Sequence, residues 1–119
     1  MKGGIVLNNV MLVGRIANDF EVKKLESGKE VTTISLAVNR SFKNADGIYE
    51  TDFINCVLWE GLAVNINEYC HKGDMIGVRG RLQTNTYEKD EIKHKVLDVI
   101  VEKITFISSK KEPVEEAEK

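Results

Sequence analysis

The chain has 119 residues, 42% hydrophobic and 30% charged, the balance of a single soluble domain with a modest core. Its net charge of −2 argues against coating nucleic acid by bulk positive charge. No apolar run reaches the roughly 18 residues of a membrane helix, and the opening Met1-Lys2-Gly3-Gly4-Ile5-Val6-Leu7 is cut off by Asn8-Asn9 too soon for a signal peptide, so a cytoplasmic location is expected.

Val10–Ile16 predicts a first strand, apolar apart from Arg15 and closed by the polar Asn18-Asp19. After the turn signal Glu26-Ser27-Gly28-Lys29, residues Val31–Val38 alternate with β-branched side chains and predict a second strand. Asn44-Ala45-Asp46-Gly47 supplies a hairpin turn, its Asp-Gly suited to positive φ. The third strand, Phe53–Trp59, carries Ile54, Cys56 and Leu58 on one face and Phe53, Asn55, Val57 and Trp59 on the other. Alternation leaves open which of those faces is core.

The period then lengthens. Leu62, Ala63, Ile66, Tyr69 and Cys70 fall at helical spacing, and Lys72-Gly73-Asp74 ends the segment. Met75–Tyr87 returns to period two, with Ile76, Val78, Gly80 and Leu82 opposite Arg79, Arg81, Gln83, Asn85 and Tyr87. A charged connection, Glu88 to Lys93, leads to a final apolar strand, Val96–Ile107. The order β-β-β-α-β-β predicts an all-β fold: a five-stranded Greek-key OB-fold barrel with one short helix between strands 3 and 4, spanning residues 1–107. Residues 108–119 are charged, hold the only proline (Pro113) and predict a disordered tail.

Little here supports catalysis. His71 and His94 fall at a helix terminus and a loop edge, where solvated side chains are expected, and no Ser/His/Asp set has the local context of a nucleophile. Cys56 and Cys70 read as buried thiols, acidic residues are spread over loops and tail, and neither a metal nor a cofactor is expected. Gly77-Val78-Arg79-Gly80 lies inside a strand pattern, so its glycines predict barrel bending or a close backbone approach rather than a phosphate clamp.

What remains is a binding surface. Phe42, Phe53 and Tyr87 sit at strand ends or beside basic residues, and Trp59 shares a face with Phe53. Each could stack on an unpaired base, worth about 1–3 kcal/mol per base. The core competes for the same rings, since only 8 of 119 residues are aromatic. Strict alternation puts Arg40 and Phe42 on the face of Ile34, Leu36 and Val38, so an exposed Phe42 requires a bend or bulge near Asn39. Without the tail, 14 basic and 15 acidic residues remain, so any such site must rest on a local basic groove and be salt-sensitive.

The sequence resembles the bacterial and phage single-stranded DNA-binding protein (SSB) family. The matching text is Asn8-Asn9-Val10-Met11-Leu12-Val13-Gly14-Arg15, Ser35-Leu36-Ala37-Val38-Asn39-Arg40-Ser41-Phe42, Thr51-Asp52-Phe53-Ile54-Asn55-Cys56-Val57-Leu58-Trp59, Lys72-Gly73-Asp74 and Val78-Arg79-Gly80-Arg81-Leu82-Gln83-Thr84-Asn85-Thr86-Tyr87. It runs from about Leu7 to about Phe106, with the five blocks in order.

The resemblance implies a non-enzymatic homotetramer that wraps single-stranded DNA without sequence preference in replication, recombination and repair, in the cytoplasm at the nucleoid. It implies stacking by Phe42, Phe53, Trp59 and Tyr87, and phosphate contacts by Arg15, Arg40, Lys43, Arg79 and Arg81. Long members of that family end in a Gly/Pro/Gln-rich linker and an acidic Pro-Phe tip that recruits repair and replication enzymes. This sequence ends Glu115-Glu116-Ala117-Glu118-Lys119, so recruitment of protein partners through the tail is not expected. The alternatives are an OB-fold replication-restart (primosomal) adaptor and an RNA-binding OB protein.

Overall fold

Alternating apolar and β-branched residues zip into six strands, and one stretch of helical spacing forms a single helix, in the computed structural model, which describes residues 7–109. The strands are β1 (Val10–Ile16), β2 (Lys23–Lys24), β3 (Glu30–Lys43), β4 (Tyr49–Trp59), β5 (Met75–Lys89) and β6 (Ile92–Ser108), with α1 (Gly61–Tyr69) between β4 and β5. The sheet order is β1-β5-β6-β4-β3-β2, and β1 also pairs with β3. That extra pairing closes β1, β5, β6, β4 and β3 into a five-stranded barrel. All pairs are antiparallel except β4 with β6. This is the expected OB-fold, with the two-residue β2 added at the edge of β3.

The inward faces supply the core. Ile34 and Leu36 of β3, Cys56 and Leu58 of β4, Ile76 and Val78 of β5, and Val99 and Val101 of β6 are buried. Helix α1 plugs the barrel with Ala63 and Ile66. Each large apolar side chain so buried contributes roughly 1.5–3 kcal/mol. The face that alternation left open on β4 is thereby assigned: Cys56 and Leu58 point in, and Phe53 and Trp59 point out.

Closure depends on two glycines. At the β1–β3 seam, where Arg15 pairs with Ala37 and Ile16 with Leu36, a Cβ on Gly14 would run into the Ala37 carbonyl. On β5 a Cβ on Gly80 would run into the Ile100 carbonyl, where the β5–β6 register shifts between Arg79 and Gly80. This is the close approach expected of the Gly-x-x-Gly pair. Gly77 does not share it, because its nearest neighbour would lie at an ordinary 3.7 Å.

The strands outrun their sequence-predicted ends. β5 and β6 stay paired as far as Lys89 and Ile92, leaving only Asp90 and Glu91 as the turn where a six-residue charged connection was expected. Both turn residues have positive φ, 54° and 65°, as a two-residue type I′ hairpin demands. Asp90 suits the first of these positions, but Glu91 stands where Gly is usual, so the turn carried only half of its signal. Ser108 ends β6, and the predicted tail beyond Ser109 lies outside the described residues.

Candidate nucleic-acid interface

Because β4 alternates, its outward residues form a row beside the core. Phe53 is 66% exposed and Trp59 38%, while Cys56 and Leu58 between them are fully buried. Ala37 pairs with Phe53 on one side and Arg15 on the other, so barrel closure brings Arg15 within two strand spacings, about 10 Å, of Phe53. Farther along the row, Val57 is level with Ile100 of β6, and Ile100 with Arg81 of β5. Phe53, Trp59, Arg15 and Arg81 therefore share one outer surface.

That surface continues along the β5–β6 ribbon. Arg81 Nη1 donates to Gln83 Oε1 at 2.8 Å, and Asn85 Nδ2 donates to Asp98 Oδ2 at 2.8 Å. These bonds fix a polar ladder leading to Tyr87, which is 49% exposed. Tyr87 lies opposite His94, and their rings stack. Glu102 approaches Arg81 Nε at 3.8 Å and offsets part of its charge.

The β3–β4 hairpin holds the remaining aromatic. Asn39 pairs with Thr51 and Lys43 with Tyr49, so residues 40–42 oppose Glu50 alone. This is the irregularity that alternation required near Asn39, and Phe42 beside it is 70% exposed. Arg40 is committed within the hairpin. It donates twice to Asp52, at 3.0 and 3.1 Å, and pairs with Glu50 at 3.0 Å. Its hydrogen bond holds the Asp52 carboxyl below the usual carboxylate range. Lys43 Nζ lies 5.7 Å from the Tyr49 ring centroid, a cation–π contact.

Arg15 is also tied into the barrel, and Arg79 lies off this surface. Arg15 Nη1 donates to the Gly73 carbonyl at 3.0 Å, tying β1 to the turn before β5. Arg79 pairs with Met11 and Lys103 on the β1–β5–β6 flank, some eight residues down β5 from Tyr87. Sequence reasoning missed Tyr49 and His94 as neighbours of the site. Tyr49 alternates in step with Thr51 and Phe53, which is legible. His94 meets Tyr87 only through the hairpin register, which is not.

The cysteines offer no reactive group. Burial, with a smaller contribution from the charge of Asp98, pushes the Cys56 thiol up to about 12. Burial and Asp74 raise Cys70 as well. Among the described residues no group of three or more His, Cys, Asp or Glu side chains could hold a metal ion.

Residues 7–107 match the Single-strand binding protein family. Single-stranded DNA-binding protein B of Bacillus subtilis (strain 168) is 43% identical over 106 residues, covering 88% of this chain and 94% of that protein. Single-stranded DNA-binding protein 1 of Staphylococcus aureus (strain COL) is 45% identical over 106 residues, covering 88% of this chain and 64% of its own length. The solved Plasmodium falciparum SSB complex with ssDNA aligns with a TM-score of 0.80 at 25% identity, covering 89% of this chain and 99% of that one. The chain belongs to the single-strand binding protein family.

Proposed function

We propose that this chain binds and protects single-stranded DNA without sequence preference, in replication, recombination and repair. Bases stack on Phe42, Phe53, Trp59 and Tyr87, and phosphates meet Arg15, Lys43 and Arg81, while Arg79, opposite Met11, lies on the other flank. The observation that carries this reading is the exposure of Phe53 and Trp59 on a strand whose other face is the core. A barrel that needed these rings for packing would turn them inward. The names of the relatives given above, single-stranded DNA-binding proteins, support the choice of ligand.

Arg40 has a different part. With Glu50 and Asp52 beside it, its charge is offset, and it stiffens the hairpin that presents Phe42. Three basic side chains then remain for phosphate. At about −0.7 per contact on single strands, log K should fall with log salt at a slope of about −2.1 per subunit. Because stacking on these rings requires unpaired bases, the protein removes hairpins by mass action.

The protein works in the cytoplasm as a homotetramer around which the strand wraps. Met11, 78% exposed, and its neighbour Val13 form an apolar outer edge on β1 that a second copy would cover. Solution mass with and without a dT oligomer of roughly 35–70 nucleotides, a length set by up to four folds, tests this. A monomer that binds only one fold's length of DNA would overturn the wrapping.

A further inference from the structure

Tyr87 does not present a bare ring. His94 lies directly opposite it across the β5–β6 ribbon, with ring centroids 5.2 Å apart and planes 22° from parallel. The imidazole covers one face of the phenol ring, while Tyr87 keeps about half its surface exposed. A cross-strand aromatic pair of this kind restrains both rings. A ring already held in place loses less freedom when a base arrives.

The charged neighbours of His94 divide by face. On its own face lie Lys89 and Tyr87 of β5 and Ile92 and Val96 of β6. Asp98, farther along that face, is engaged by Asn85. Glu88, Lys93 and Lys95 belong to the opposite face, and Asp90 and Glu91 form the turn. β4 pairs with β6 at Val99 and Ile100, away from His94. Imidazole is the side chain that gains a positive charge between pH 8 and 5, and it can stack in either state.

We propose that His94 positions Tyr87 as a one-sided stacking platform and, once protonated, adds a cationic contact to the phosphate beside the stacked base. This rests on the single-strand-binding reading and adds to it a pH response. The ribbon tip should grip a single strand more tightly as the solution is acidified.

The test is the affinity of the full chain for a labelled dT oligomer at low salt, from about pH 8 to about pH 5.5. Thymine has no group that titrates in that interval. Four proteins are compared: the unsubstituted chain, His94→Phe, His94→Ala and, as a control for the other histidine, His71→Gln. The unsubstituted chain and His71→Gln should tighten about two- to fivefold on acidification, the scale of one exposed charge contact. His94→Phe should match them at pH 8 and lose the pH response, because the ring remains and the charge does not. His94→Ala should bind about two- to tenfold more weakly at pH 8, the scale of one aromatic pair, and lose the response too. A pH response that survives either His94 substitution, or His94→Ala binding normally at pH 8, would overturn the proposal. No binding of dT by the unsubstituted chain at any pH would overturn the single-strand reading along with it.

Discussion

Phe53 and Trp59 are large apolar rings that the barrel does not use for its core, and at the scale of single residues this fixes what their removal should do. Phe53→Ala should weaken oligo-dT binding by about 1–3 kcal/mol while leaving the unfolding midpoint almost unchanged. A stability loss equal to the binding loss would instead mark Phe53 as a packing residue. Cys56 makes the opposite kind of prediction. Its thiol is raised from an ordinary 9.0 to about 12, so the unfolded chain deprotonates first as the pH climbs. The stability contributed by the neutral buried thiol is complete below pH 9 and lost between pH 9 and about 12. Denaturant unfolding should therefore show an alkaline decline that Cys56→Ala, although less stable at neutral pH, partly removes. Identical slopes for the two proteins above pH 9 would contradict this.

At the scale of elements, the β1–β3 seam and the β5–β6 turn make opposite predictions. Gly14→Ala would force the seam apart at the Ala37 carbonyl and should cost about 3 kcal/mol, measured by chemical denaturation. It should also weaken DNA binding, because the same seam brings Arg15 towards Phe53. The turn should respond in the other direction. Glu91 holds φ at 65°, a conformation that costs a residue with a Cβ about 1–2 kcal/mol, so Glu91→Gly should stabilise the ribbon by about 0.5–1 kcal/mol. Slower amide exchange between Tyr87 and Lys95 would report it.

These elements also explain what the sequence could and could not disclose. An apolar run made β1 legible, helical spacing the helix, and period two the division of strands into two faces, though not which face of β4 is core. The bulge near Asn39 was legible as a conflict, since Phe42 could not otherwise leave the core face. The Asp90-Glu91 turn was hidden because Glu91 stands where Gly is usual. The occupation of Arg40 by Glu50 and Asp52, and the stacking of His94 on Tyr87, depend on cross-strand register, which a linear pattern does not encode.

For the whole molecule, a near-neutral domain must concentrate its attraction for DNA in one surface. In the proposed site, closing β1 onto β3 brings Arg15 towards Phe53 from one side while Arg81 approaches Val57 from the other. Trp59, the only tryptophan in the chain, lies on that surface and reports on it without any label. Its fluorescence during titration with oligo-dT is the most direct measurement of base stacking here. Strong quenching that saturates with binding, and that weakens in Phe53→Ala at equal DNA concentration, is the expected result. Full binding of oligo-dT with Trp59 emission unchanged would contradict it.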